Sequence, residues 1–412
     1  MQKAANTLAA GDTVYIRAGT YTEQVTPQNS GGAGNTITYA AYPGETATID
    51  GSGVTLPDDL AGLFDISNKN YIRVSGLRVI NAGPYNNNAG ILVINSGFIT
   101  VENNSTYNTA SSGIGVWGSH NVAVDGNRVE EVGKSGWQEC ISVAGTDTFE
   151  VRGNEVLNCH KEGICIKDGS SNGQVYRNHV HHTQRVGIYV DAWDKYTYNI
   201  AVFQNVVHDS LDNDGFALAS EAGGLLENVR VYNNVAYHNR YLGVAISING
   251  DAITHPMNSI LVVNNTFYNN GWTTWGGGIA VDNPDAQNVV VRNNIVSQNL
   301  YFQIAVAPGV PTQTLAIDHN LIDGYRGTEG ETRGSEYVEG DPLFINAAGA
   351  DYHLRENSPA IDAGSAAGAP SDDFDGRSRP LDGNGDGNAA YDIGSYETPF
   401  YSEHVYLPLV LR

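Results

Sequence analysis

Basic side chains are scarce in this sequence: 22 lysines and arginines stand against 45 aspartates and glutamates, a net charge of −23 over 412 residues. Phosphate backbones need a basic face, so nucleic acid is excluded as a partner. Long apolar runs are also missing; nothing approaches the ~18 consecutive apolar residues of a membrane span. Only three cysteines occur, Cys140, Cys159 and Cys165. They are too few for a disulfide scaffold, and the odd count leaves at least one thiol unpaired or shared between chains, with the pairing open. The opening Met1-Gln2-Lys3-Ala4-Ala5 lacks the apolar core of a signal peptide, which implies either a protein that is not exported or a chain that begins after its leader. Helical periodicity is nearly absent. What is present is 41% hydrophobic residues, 23 tyrosines and 48 glycines, a composition that excludes a disordered polyanion and implies a folded, turn-rich protein.

Self-similarity runs from about residue 71 to 325, where the pattern apolar-x-apolar-x-x-Asn-x-apolar returns every 23 to 31 residues. Its asparagines are Asn104, Asn127, Asn154, Asn178, Asn205, Asn234, Asn265, Asn294 and Asn320. Between them lie segments such as Gly163-Ile164-Cys165-Ile166, Gly187-Ile188-Tyr189-Val190 and Gly215-Phe216-Ala217-Leu218. Alternation over four or five residues with β-branched side chains reads as short strands, two or three per repeat. One repeat cannot bury its apolar face alone, but coils stacked about 4.8 Å apart cover every interior residue and pair every backbone group. The expected fold is therefore all-β, a parallel β-helix; propeller blades have longer repeats of about 40 residues with four strands. Asparagine at one turn of each coil fits a side-chain amide ladder and a left-handed backbone.

The opening Gly11-Asp12-Thr13-Val14-Tyr15-Ile16-Arg17-Ala18-Gly19-Thr20-Tyr21, followed by Gly51, resembles the start of secreted right-handed parallel β-helix proteins of the pectin-lyase-like superfamily. That resemblance implies a right-handed coil and, because strand and helix material usually precedes this segment, a truncated or misassigned start and an exported parent. The repeat is assigned to residues 1–339. Residues 340–398, with Gly340-Asp341-Pro342-Leu343-Phe344, Asn357-Ser358-Pro359-Ala360-Ile361-Asp362-Ala363-Gly364 and Asp392-Ile393-Gly394-Ser395-Tyr396-Glu397, resemble the choice-of-anchor module that follows bacterial surface β-helices. This implies an extracellular or cell-surface location. Residues 399–412 form a short apolar tail, a sorting signal or a strand sealing the last coil. A solenoid closes its own core, so a monomer is expected.

With the repeats in register, the third and fifth residues of each Gly-Ile-x-Val-x segment point outward. Charges gather on that outer face: Glu139, Lys161, Glu162, Lys167, Asp168, Arg185, Asp191, Asp194, Lys195, Asp212, Asp214 and Glu221, with Trp193 among them, fall within about four coils, a patch about 15 to 20 Å long. Any single one reads first as a solvated turn residue; the cluster is what points to a site. Trp117, Tyr189, Trp193 and Tyr241 lie on or beside it. An aromatic platform with hydrogen-bonding neighbours suits a sugar ring, so a polysaccharide is the expected ligand, held by Trp117, Lys161, Tyr189, Trp193, Lys195 and Tyr241.

Two chemistries fit. One is β-elimination on a uronic-acid polymer, which needs a base and a cation for the developing negative charge. Glu162-Gly163-Ile164-Cys165-Ile166-Lys167 resembles the Asp-Gly-Phe-Ala-Ala-Lys segment of family-nine polysaccharide lyases; Asn213-Asp214-Gly215-Phe216-Ala217-Leu218-Ala219 resembles its first residues but carries Ala219 where lysine would stand. The resemblance implies Lys167 as base, Arg185 or Lys161 as stabiliser of the enolate, and Glu139, Glu162 and Asp214 as calcium ligands. An Asp191 partner for Lys167, one coil above, would oppose this by raising the lysine's pKa. The other chemistry is glycoside hydrolysis by paired carboxylates, Asp191 with Glu221 or Glu139 with Glu162. The run Glu139 to Gly187 resembles the layout of polygalacturonase-like hydrolases, without their Asp-Asp and Gly-His-Gly signatures. A non-catalytic glycan-binding or structural surface protein is the third reading.

His160, His179, His181, His182, His208 and His238 occupy turns of adjacent coils and read as a stack within the solenoid; a metal centre would need three or four of them to converge. Asp382-Gly383-Asn384-Gly385-Asp386-Gly387 matches the first half of a calcium loop, with Asp382, Asn384 and Asp386 as donors; Ile393 stands at the twelfth position, with Asp392 as the possible substitute.

Overall fold

The structure, a computed structural model, describes residues 1–135 and 137–400. Short strands gather into three sheets of 12, 13 and 10 strands. Within them each strand pairs in parallel with those one coil before and one coil after it: Ile141–Ala144, for example, lies between Ile114–Trp117 and Ile164–Lys167. This is the parallel β-helix read from the repeat. No helix of the described residues is long and apolar enough to cross a membrane.

The core follows from alternation. On the third sheet Ile141, Ile164 and Ile188 stand in one file and Val143, Ile166 and Val190 in the next, all 1% exposed or less. β-Branched side chains suit a pleated, buried surface. The recurrent glycine opening each segment answers to space: a Cβ on Gly163 would come within 2.5 Å of Val180 Cγ1 and 2.6 Å of the Gly187 carbonyl oxygen.

The nine repeat asparagines form one continuous ladder. Each side-chain amide N–H but that of Asn320, the last, donates to the next coil's side-chain oxygen, as Asn178 does to Asn205 and Asn205 to Asn234 at 3.0 and 2.9 Å, and all nine donate to a backbone carbonyl of their own coil or the coil before. The left-handed backbone expected at these asparagines sits one residue earlier, at Asn103, Gly126, Gly153, Arg177, Gln204, Asn233, Asn264, Asn293 and His319. The ladder asparagine turns inward, is buried, and is selected for its amide. A second ladder, Asn239, Asn270 and Asn299, runs at another corner.

Residues 340–400 leave the coil and lie against the second sheet. Phe344, Tyr352, Leu354, Ile393 and Tyr396 form an apolar cluster with Val235, Ile295 and Leu321 of that sheet. The left-handed corner asparagines bind this segment: Asn233 donates to the Asp372 carbonyl at 2.6 Å and Asn293 to that of Ser365 at 2.7 Å. Arg379 and Glu397, both fully buried, pair at 2.6 Å, and Arg379 also donates to the carbonyls of Asp392 and Gly394. Most of the tail, residues 401–412, lies outside the described residues.

Candidate functional site

The charged groups of the middle coils stand on the outer face of the third sheet, in three files set by the strand register. Glu139, Glu162, Val186 and Asp214 precede the strands; Ser142, Cys165, Tyr189 and Ala217 lie mid-strand; Ala144, Lys167, Asp191 and Ala219 close them. The middle file faces outward but is roofed by the charges beside it, leaving Cys165 and Tyr189 buried. Burial pushes the Cys165 thiol well up, and Glu139 adds to the shift. Cys140, next to Glu139, is disulfide-bonded to Cys159, which ties the backbone at Glu139 to the adjoining coil; Cys165 is the free thiol.

One hydrogen-bonded line crosses this face. Trp117 Nε1 donates to Ser142 Oγ at 3.2 Å, Ser142 Oγ donates to Glu139 Oε2 at 2.8 Å, and Lys167 Nζ lies 2.8 Å from Glu139 Oε1 and 3.1 Å from Gln138 Oε1. Burial alone would pull Lys167 down and Glu139 up; their attraction outweighs it, holding the ammonium above its ordinary value and the carboxylate below. The expected pairing of Lys167 with Asp191 is therefore corrected. Asp191 Oδ1 instead accepts the backbone N–H groups of Trp193 and Glu221 at 2.9 and 3.1 Å, and burial pushes its pKa to about 7. Glu221 accepts the Tyr189 hydroxyl.

Glu162 is held up by burial and then by the Glu139 charge; its Oε1 is 3.4 Å from Arg185, and its Oε2 is buried without a partner. Asp214 is pushed to about 7 by burial and accepts the Leu242 N–H at 2.9 Å. The expected calcium ligands Glu139, Glu162 and Asp214 each meet a different neighbour. An ammonium already occupies Glu139, Asp214 stands two strands beyond Glu162 and turns to the backbone, and the three do not converge. At the C-terminal loop, Asp382 accepts the N–H groups of Gly385 and Gly387, and Asn384 that of Asp386, at 2.7 to 2.9 Å. Their oxygens thus turn into one loop. Asp386 accepts the N–H of Asn388.

A cavity of about 580 Å³ opens over the end of this line, bounded by Trp117, Gln138, Lys167, Asp168 and Lys195, with Leu60 and Asn87 on the far side. Two of the residues expected to hold a polysaccharide, Trp117 and Lys195, therefore come together with the expected base, Lys167. The others do not border it: Lys161 reaches the Trp137 carbonyl at 3.5 Å, Arg185 and Trp193 are exposed elsewhere on the face, Tyr189 is buried under Glu221, and Tyr241 lies under Arg240 beside Trp275. Leu60 and Asn87 were invisible in the repeat because they belong to insertions between strands that no periodicity places.

Residues 1–132 match a family model described as a Pel9A-like right-handed β-helix region, and residues 195–340 one described as a right-handed β-helix region. An uncharacterized protein of Bacillus subtilis, YwoF, is 26% identical over 409 residues, with 85% of each chain covered. Among solved structures, pectate lyase Pel9A superposes with a TM-score of 0.60 at 15% identity, covering 96% of this chain and 90% of its own. An alginate lyase from Paenibacillus sp. FPU-7 superposes with a TM-score of 0.51 at 16% identity, covering 68% and 94%. The chain is thus a parallel β-helix, similar over residues 1–132 and 195–340 to right-handed β-helix families.

Proposed function

We propose that this protein is a carbohydrate-active enzyme that binds an acidic polysaccharide over the Trp117–Lys167–Lys195 cavity and cleaves it by β-elimination. The observation that carries the reading is the meeting of an indole and two ammonium groups in one open cavity. A sugar ring stacks on the indole, and uronate carboxylates meet the lysines. The likeness to a pectate lyase and an alginate lyase supports the substrate class.

Lys167 is the proposed base. While paired with Glu139 it is charged, so abstraction of the proton α to the substrate carboxylate requires Glu139 to release it. Burial then favours the neutral amine. Lys195 is the cation in the cavity available to the developing enolate, while Arg185, the stabiliser the resemblance implies, stands outside it beside Glu162. Hydrolysis is the second reading. It is favoured by the pKa of about 7 at Asp191 beside Glu221, a value suited to a general acid.

Calcium enters only at Asp382, Asn384 and Asp386, as a structural ion with no part in the chemistry; a fall in thermal midpoint on adding EDTA tests it. Export or surface display fits the Cys140–Cys159 disulfide, since such bonds persist in oxidising compartments. The testing experiment incubates the protein, as a monomer, with pectate, alginate and glycosaminoglycans. Ultraviolet absorbance of an unsaturated product supports elimination. New reducing ends without absorbance support the Asp191–Glu221 pair, and retained binding with neither supports a non-catalytic glycan binder.

A further inference from the structure

The histidines of the middle coils stack as expected: the rings of His181 and His208 are parallel at 5.0 Å, and Tyr237 continues the file at 4.7 Å. Stacking makes demands on ring faces only. It does not explain why the donor atoms of Glu155, His179 and His181 gather at one point, with His208 Nε2 close to His179 Nε2. On the second sheet, Glu155–Leu157, His179–His181 and Val206–His208 are adjacent strands, with Glu155 beside His179 and His181 beside His208. Val180 is buried between its neighbours, so His179 and His181 both face outward.

The donor atoms of Glu155, His179 and His181 all lie within 4.8 Å of one another. His179 Nε2 is 2.9 Å from His208 Nε2, and His181 Nε2 is 3.9 Å from Glu155 Oε1. The outer partners orient these donors. Asp209 Oδ2 lies 2.6 Å from His208 Nδ1, which fixes the proton there and leaves the Nε2 lone pair facing His179. Arg128 takes Glu155 Oε2, leaving Oε1 toward His181. His181 Nδ1 meets His182 Nδ1 at 2.8 Å, which leaves its Nε2 inward. A carboxylate behind a histidine is the usual support of a metal-bound imidazole.

We propose that Glu155, His179 and His181 form a site for a divalent first-row transition cation, with His208 at its edge as a further donor reached through His179, so that three successive coils are clamped. Imidazole nitrogens with one carboxylate select zinc, nickel or copper over calcium or magnesium, which take oxygen donors. An ion about 2.1 Å from both His179 Nε2 and His208 Nε2 at their 2.9 Å separation would see them at about a right angle, as in a tetragonal copper or nickel site, and a tetrahedral zinc would need them about 3.4 Å apart. The site stands apart from the proposed elimination, which uses none of these residues.

The test is calorimetric titration of zinc into the untagged full-length chain after dialysis against EDTA. One equivalent per chain is expected, with affinity weakened about tenfold or more in a His179→Ala/His181→Ala variant whose circular dichroism is unchanged. The copper-loaded protein should give an electron paramagnetic resonance spectrum with nitrogen coupling from at least two imidazoles. Absence of a saturable equivalent, zinc affinity unchanged in the double variant, or a copper spectrum with oxygen donors alone would overturn the proposal.

Discussion

Lys167 and Glu139 stand 2.8 Å apart on neighbouring coils, and this contact reverses the effect of burial on the lysine. The sign of a substitution follows. In Glu139→Gln the attraction is gone and desolvation remains, so the lysine pKa falls. If Lys167 is the base, the acidic limb of the pH–rate profile moves to lower pH by about one unit or more, and activity at neutral pH rises. An unmoved profile would remove Lys167 from that role.

The Asn ladder predicts a stability effect with no effect on the groove. Asn205→Ala removes donation to the Val175 carbonyl and to Asn234, and leaves the Asn178 amide and backbone N–H without their acceptor. Each buried polar group left unmatched costs about 1–3 kcal/mol, so the urea midpoint should fall clearly. Gln287→Ala, at an exposed position of the first sheet away from the ladder, should leave it unchanged within error.

The fold was legible because stacking writes its own period: every coil must bury the same files and turn the same corners, so the core pattern and the nine asparagines return in the sequence. The left-handed residue was misplaced by one because asparagine serves both purposes, and at Asn103-Asn104 or Asn233-Asn234 the two adjoin. The second ladder escaped notice because only three coils carry it. At the site, Trp117, Lys167 and Lys195 were found by register, whereas Leu60 and Asn87 belong to aperiodic insertions. The Lys167 partner was mistaken because a file along the strand ends suggests Asp191. The side chain instead crosses the face to the file that precedes the strands, a direction no spacing encodes.

Asp214 sets a pH dependence. Its folded pKa of about 7 lies above the unfolded value, so the folded state holds the proton more tightly. This contribution to stability is full below about pH 4 and is lost as pH rises through about 7. Asp214→Asn keeps an acceptor for the Leu242 N–H and cannot ionise. It should therefore raise the urea midpoint relative to the parent more at pH 8 than at pH 5; an equal effect at both would contradict the buried protonated carboxyl.

The thiols give a chemical check. Peptide mapping without reduction should recover Cys140 linked to Cys159, and alkylation of the native protein should leave the buried Cys165 unmodified until denaturant is added. Rapid native labelling of Cys165 would mean that the charged roof over the middle file is open.

The central claim is that the cavity at Trp117, Lys167 and Lys195 cleaves an acidic polysaccharide by elimination. Its most direct measurement is ultraviolet absorbance during incubation with polyuronate chains, for the parent and for Lys167→Ala. The account predicts absorbance that grows with time in the parent and falls about 100-fold or more in the variant; absorbance that persists in Lys167→Ala, or none in the parent on any polyuronate, would contradict it.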